Sequence, residues 1–387
     1  MIKNGDLELA IYDLSPLPEG VDSNKNPNTK FSRNVCEILD MEPSEAVIEE
    51  FKDGERDPVI PDSVRKKKIF VFHSYIKPLG ERKYELELFL DAVGMGGGNK
   101  EGVVVVWPYA FGSRGERRTR SRKAAPTLVW AKALGSYAVD TLLTGGIHSE
   151  NVGTTYNGEG VSFEHLAFEI VAANYILRNY REKGSVAVVS PDAGGLKRVR
   201  KIEKILTSEE VKKLEETSLD SLMIGSADKI REKDDEIKGS NLLDSVSGCD
   251  VLIVDDVGDT LGSLYDAAKN CKTNGAKSVR ALLYHATLGK GYEKNMKKIF
   301  KEKLVDEIIL GNTVPIKDFA RNNPQVKILP FEPLYAEAVK RIHENRSMSE
   351  LFTYEGITKV YDRARPLFKG DQKYVKIGRV KLPTLDS

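Results

Sequence analysis

Three carboxylates stand almost side by side at Asp255, Asp256 and Asp259, and Thr260, Leu261, Gly262 and Ser263 follow at once. Adjacent Asp side chains can accept hydrogen bonds from the hydroxyls of a sugar. A terminal phosphate on that sugar needs converging backbone N–H groups with little side chain in the way, best at a helix N-terminus. Thr260, Gly262 and Ser263 suit that task. A plain strand-to-helix turn with an acidic N-cap is the simpler reading. It is disfavoured because acids crowded on one turn repel unless a cation or polyol lies between them. Leu261 does not fit the pattern, since a large side chain there is expected to crowd or re-aim the loop.

The elements around this turn are legible as runs. CDVLIVDDV (249–257) is apolar without alternation until its acids, as expected of a parallel strand covered on both faces. SLYDAAKNCKTNG (263–275) follows with helical spacing and ends on Gly275, a candidate C-cap. KKIFVFHSY (67–75), GVVVVWPYA (102–110), VDTLLTGGI (139–147), SVAVVSPD (185–192), KSVRALLYH (277–285) and VDEIILGNT (305–313) read as further strands. TLVWAKALGSYA (127–138) and FEHLAFEIVAANYILRNY (163–180) read as helices between them. Strands alternating with helices predict an α/β fold with parallel sheets. The strands fall into two sets joined near TTYNGEG (154–160), a linker by composition. The highly charged stretch 205–235 predicts a surface helix followed by a mobile loop, and the tail after Phe352 belongs to neither half by pattern.

The 387 residues suffice for two domains, and a net charge of +1 gives no bulk reason to bind nucleic acid. Cys36, Cys249 and Cys271 are scattered and odd in number, against a disulfide framework and in favour of a reducing compartment. No apolar stretch approaches a membrane span, and the N-terminus lacks the shape of a signal peptide. A cytoplasmic protein without membrane or nucleic-acid partners is the expectation.

The turn VLIVDDVGDTLGSL (251–264) resembles the phosphoribosyl-diphosphate-binding loop of ribose-phosphate diphosphokinases and of type I phosphoribosyltransferases. Other segments separate the two. VAVVSPDAGGLKRVRKI (186–202) is similar to the diphosphokinase pattern SPD-x-GG-x-x-R-A-R. FKDGERDPVIPDSVRKKKIFVFHSY (51–75) resembles its F-x-DGE segment, and WPYAFGSRGERR (107–118) its PY-x-x-x-x-R-Q-D-R-R stretch. LLTGGIHSENVGTTY (142–156) sits where that family has DLH, and FEPLYAEAVKRIHENRSMSELF (331–352) resembles its C-terminal helix.

The resemblance implies two similar phosphoribosyltransferase-like domains: 1–160 on the ATP side with oligomer contacts, 161–352 with the ribose-phosphate site, and 353–387 as an extension. It implies transfer of the β,γ-diphosphate of ATP to the anomeric hydroxyl of ribose 5-phosphate, with AMP leaving. Two polyanions must meet, so Mg²⁺ is implied as the charge-neutralising cofactor. Residue by residue, Phe51, Asp53 and Glu55 match the adenine-binding positions, which the family shares between subunits. A homo-oligomer, dimer or hexamer, follows from that sharing. Arg114 and Glu116 match positions that meet ATP. His148 matches the His of DLH, which helps hold MgATP, and Asp192 matches the Asp of SPD between metal and ribose. Asp255, Asp256 and Asp259 match the ribose-binding acids, and Thr260–Ser263 the phosphate loop. Lys229 and Arg231 match a Lys-x-Arg pair on a flexible loop that closes on the transferring group.

The departures cluster at the substrate contacts. Gly146 replaces the Asp of DLH, Gly115 a Gln, Glu116 an Asp, and Leu261 a Gly of the phosphate loop. Leu261 leaves two options: its side chain points away, or the acceptor carries more than a 5′-phosphate, for which ADP-ribose is the obvious candidate, giving ADP-ribose 1-diphosphate for NAD rebuilding. Gly146 and the charged insertion also leave room for a non-catalytic regulatory homologue.

Overall fold

The computed structural model describes residues 3–4, 7–14, 31–73, 79–98, 102–110, 112–116, 120–147, 149, 151–180, 184–215, 221–227, 246–368 and 372–378. His148, Lys229 and Arg231 lie outside them, and of Arg114 only the backbone is described.

The chain folds into two compact units. The first spans Met1–Leu166 with Thr313–Pro315 and Glu332–Met348. Its strands are β1 (Lys3–Asn4), β2 (Leu7–Asp13), the pair β3 (Val47–Glu50) and β4 (Arg56–Val59), β5 (Lys67–Phe72), β6 (Val103–Trp107), β7 (Thr141–Gly145) and β8 (Ser162–Leu166). Six of them form one sheet in the order β1-β2-β5-β6-β7-β8, parallel from β2 onward, while β3 and β4 make a separate antiparallel hairpin. The Val-rich β6 is buried along its whole length, which suits a strand covered on both faces. Helices α1 (Phe31–Ile38), α2 (Leu79–Met95), α3 (Pro126–Ser136) and α4 (Asn151–Gly158) belong to this unit. Pro126 opens α3, where its missing N–H costs no hydrogen bond.

The second unit spans Ala167–Asn312, Ile316–Phe331 and Ser349–Ser387. Its strands are β9 (Ser185–Ser190), β10 (Ser221–Ser226), β11 (Asp250–Val257), β12 (Ser278–His285), β13 (Glu307–Gly311) and β14 (Val326–Leu329). They form one wholly parallel sheet in the order β10-β9-β11-β12-β13-β14. Helices α5 (Phe168–Tyr180), α6 (Leu196–Leu206), α7 (Glu209–Glu215), α8 (Gly262–Thr273), α9 (Tyr292–Lys301) and α10 (Asp318–Arg321) connect them. Helix α11 (Glu332–His343) returns to the first unit, where Tyr335 stacks edge-on against Phe31 and donates from its hydroxyl to the Pro108 carbonyl at 3.2 Å. Helix α12 (Tyr354–Ala364) belongs to the second.

The α/β class with parallel sheets is therefore observed, with several local differences from the sequence reading. The expected helix over 163–180 is strand β8 followed by α5, because the apolar residues of FEHLAF pair against β7 before the helix begins. The expected linker 154–160 is mostly helix α4, and Tyr156 stacks on Phe163. Within the charged stretch 205–235 lie α7 and β10, the latter paired in register with β9. The compact units divide at Leu166, with α11 counted in the first and the segment after Ser349 in the second, so they are not contiguous in sequence as the expected 1–160, 161–352 and 353–387 are.

Candidate active site

The carboxyl edge of the second sheet carries the acids. β11 runs buried from Asp250 to Val254 and then delivers Asp255, partly buried, and Asp256, buried. Asp255 Oδ1 accepts from the Asp256 N–H at 2.9 Å, and Asp256 Oδ1 accepts from the Val257 N–H at 3.1 Å. Burial and the neighbouring Asp256 push the Asp255 carboxyl up to about 7, while the Arg198 guanidinium pulls the other way. Arg198 sits on α6 with Nη1 3.4 Å from Asp255 Oδ1 and Nη2 3.1 Å from Asp256 Oδ1.

β9 lies beside β11, so its following turn opens at the same sheet edge. That turn is SPDAGG. Asp192 is exposed, and its Oδ1 accepts from the Gly195 N–H at 3.0 Å, capping a short 3-10 helix over Ala193–Gly195. Gly195 is there for space: a Cβ would lie 2.9 Å from the Ser190 side chain and 3.2 Å from Arg198 Nη1.

Asp259 begins the loop proper. Its Oδ1 accepts from the Gly289 N–H at 3.0 Å, and its carbonyl from the same N–H at 3.1 Å. A Cβ at Gly289 would lie 2.0 Å from Asp259 Oδ1, so this clamp requires glycine. Asn295 Nδ2 donates to the Thr260 carbonyl at 2.8 Å from the other side. Thr260 and Ser263 are exposed, and α8 begins at Gly262 with no acidic residue in its first turn. The Gly262 N–H donates to Thr260 Oγ1 at 3.4 Å, and the positive dipole end of α8 favours an anion there.

Leu261 answers the question its position raised. It takes φ 63° and ψ 18°, the left-handed conformation, and is only 3% exposed. Its side chain packs in the core with Leu264, Leu283 and Leu288, and its Cδ2 would touch a Cβ built at Gly258. The loop therefore keeps the backbone shape a glycine would give while the side chain turns away from it. The expected crowding does not occur.

The ATP-side candidates fall in the first unit. Phe51, Asp53 and Glu55 are exposed and form the turn of the β3–β4 hairpin. There the Phe51 N–H donates to the Glu55 carbonyl at 2.8 Å, and the Glu55 N–H to Asp53 Oδ1 at 3.1 Å. Gly54 at φ 91° makes the turn. Arg114 lies in a short 3-10 helix over Ser113–Gly115, with Glu116 half-buried after it. A side chain at 115 would meet Pro126 Cδ at 2.6 Å, which explains why Gly115 stands where the resembled family has Gln. Gly146, just after β7, is buried and takes φ 56°. Among the described residues no group of three or more His, Cys, Asp or Glu forms a ready-made metal cage, and no helix is long and apolar enough to cross a membrane. Reasoning from sequence passed over Arg198, Gly289 and Asn295. Arg198 had a signal, being the first Arg of the quoted SPD-x-GG-x-x-R segment; the other two are visible only once the loops meet.

Residues 23–137 match the family model for the N-terminal domain of ribose phosphate pyrophosphokinase, and residues 228–353 that for the phosphoribosyl synthetase-associated domain. A ribose-phosphate pyrophosphokinase of Helicobacter pylori is 31% identical over 323 residues, covering 84% of this chain and 93% of its own. The chain belongs to the ribose-phosphate pyrophosphokinase family. A second member of this transferase family, from Campylobacter jejuni, is 29% identical over 84% of this chain and 96% of its own. The fold is similar to that of the phosphoribosylpyrophosphate synthetase from Mycobacterium smegmatis, with a TM-score of 0.68 at 22% identity over 87% of this chain and 99% of that one.

Proposed function

We propose that the protein is a ribose-phosphate pyrophosphokinase: it transfers the β,γ-diphosphate of ATP to the anomeric hydroxyl of ribose 5-phosphate. The oxygen of that hydroxyl attacks the β-phosphorus, the bond from the β-phosphorus to the bridging α–β oxygen breaks, AMP leaves, and the hydroxyl proton is lost. The observation that carries this reading is the acid pair set before an anion-favouring helix start on one sheet edge, in a chain whose relatives bear that enzyme's name. Asp255, Asp256 and Asp259 would hold the ribose hydroxyls, and Thr260–Ser263 its 5′-phosphate. Phe51, Asp53, Glu55, Arg114 and Glu116 would receive ATP, and Lys229 with Arg231 would close on the transferring group.

Magnesium fits this donor set as an ion arriving with the nucleotide. Mg²⁺ typically takes one or two carboxylates and completes its shell with substrate phosphates and water, and the exposed Asp192 at the carboxyl edge of the second sheet would supply such a carboxylate, His148 being a metal candidate outside the described residues. When bound it would neutralise phosphate charge. A shared adenine pocket at the exposed hairpin turn makes a homo-oligomer, dimer or hexamer, the proposed assembly, and the cytoplasm the proposed location.

The readings of an ADP-ribose acceptor and of a non-catalytic homologue are not favoured. The first rested on Leu261 obstructing the loop, and its side chain is buried in the core. The second sits badly with an intact acid pair and with relatives named as enzymes. AMP release from ATP and Mg²⁺, measured with ribose 5-phosphate or ADP-ribose as sole acceptor, tests the choice. AMP is expected with ribose 5-phosphate; release only with ADP-ribose would reverse it.

A further inference from the structure

Adjacent residues on a strand ordinarily aim their side chains at opposite faces. Asp255 and Asp256 nevertheless reach the same guanidinium, with Nη1 on one and Nη2 on the other. A planar fork with fixed donor directions can do this, whereas a lysine ammonium is a point charge. Arg198 is itself well fixed: its side chain is 11% exposed, and its guanidinium lies 5.9 Å from the centre of the Tyr284 ring. A Cβ at Gly195 would lie 3.2 Å from its Nη1, so glycine there leaves the guanidinium room. The ionisable groups facing it are Asp255 and Asp256 on β11, Tyr284 on β12 and Glu169 on α5.

Together the guanidinium and the following backbone N–H groups engage Oδ1 of both carboxylates. That sets the plane of each carboxyl group. It also supplies positive charge that opposes proton-sharing between a partly buried and a buried carboxylate.

We infer that Arg198 is a positioning residue for the acceptor site: it bridges Asp255 and Asp256, fixes their orientation and favours the ionised, hydrogen-bond-accepting form of the pair for the sugar hydroxyls. The inference rests on the proposed pyrophosphokinase reading, since it takes a ribose hydroxyl as the ligand. Arg198 does not touch the sugar and acts only through the acids.

The pH consequence has a definite sign. Arg198 lowers the Asp255 carboxyl against burial and against Asp256. Removing it displaces that titration upward, so the pair holds a proton at pH values where the wild type is ionised. Each unit of displacement is about tenfold in the ionised fraction on the acid side.

The test is calorimetric binding of ribose 5-phosphate to wild type, Arg198→Met and Arg198→Lys between pH 6 and 9, with melting curves for each. The Met variant is expected to bind roughly tenfold or more weakly near neutral pH and to recover as pH rises. The Lys variant is expected to keep its pH profile near that of wild type but to bind more weakly at every pH, because it cannot bridge both acids. Unchanged affinity and pH profile in the folded Met variant would overturn the inference, and so would a loss that is equal at every pH. If the Met variant does not fold, the Lys variant decides, and wild-type affinity there overturns the bridge. If wild type binds no ribose 5-phosphate, the functional reading fails instead. The Arg198 claim is then read from carbon-13 NMR titration of labelled Asp carboxyls, where an unmoved pair in either folded variant would sink it.

Discussion

Leu261 sets two terms against each other at the residue scale. A non-glycine residue in the left-handed conformation costs about 1–2 kcal/mol, whereas removing a buried Leu side chain typically costs about 2–5 kcal/mol. Burial wins, so Leu261→Gly, which restores the residue usual in the family, should destabilise the fold by on the order of 1–3 kcal/mol. Its KM for the acceptor should stay unchanged, because the side chain never entered the loop. A melting curve and an acceptor titration check both; a more stable variant with tighter acceptor binding would mean that Leu261 burdens the site. The acids were readable in the sequence because carboxylates at a strand's end before small residues have few structural uses. The direction of Leu261 was not, since it depends on a positive φ and on a core built from Leu283 and Leu288, far along the chain. Arg198 was marked only by its place in the SPD-x-GG-x-x-R segment, since one basic residue among five in LKRVRKIEKIL carries no sign of facing inward.

Secondary-structure elements were legible where periodicity was unmixed. The buried strands β6, β7 and β11 announce themselves as apolar runs. β8 and β10 do not: the first is short and leads directly into α5, and the second sits among charges. The segment after Phe352, which pattern assigned to neither half, is tied into the second unit by specific partners. The Tyr354 hydroxyl donates to Glu215 Oε1 at 2.9 Å, beside the paired contacts of Arg178 on the same carboxylate at 2.7 and 2.9 Å. Asn174 Nδ2 donates to Thr358 Oγ1 at 2.9 Å. Farther on, the Ile328 N–H donates to the Lys373 carbonyl and the Val375 N–H to the Ile328 carbonyl, so the tail lies along β14 at the sheet edge. Tyr354→Phe should cost about 1.5–3 kcal/mol, the worth of a hydrogen bond to a charged group, seen as a Tm lowered by several degrees. Deleting the chain after Met348 uncovers several buried apolar side chains, each worth about 1.5–3 kcal/mol, and should abolish the cooperative transition of the second unit. A truncated protein melting like wild type would show that the extension is a passenger.

For the whole molecule, the sequence divides its chemistry as the fold divides its units. Phe51, Asp53, Glu55, Arg114 and Glu116 belong to the first, and Asp192 with the Asp255–Ser263 turn to the second. Under the proposed function neither set does chemistry alone: the first would receive the nucleotide and the second would hold the sugar. The central claim is that a diphosphate crosses intact from the first substrate to the second. Phosphorus NMR of the protein with ATP, Mg²⁺ and ribose 5-phosphate tests it most directly. The prediction is AMP and a sugar-linked diphosphate appearing in equal amounts, both phosphorus atoms of the new diphosphate coming from ATP. ADP with a new phosphate monoester, or no change in the ATP resonances, would contradict it.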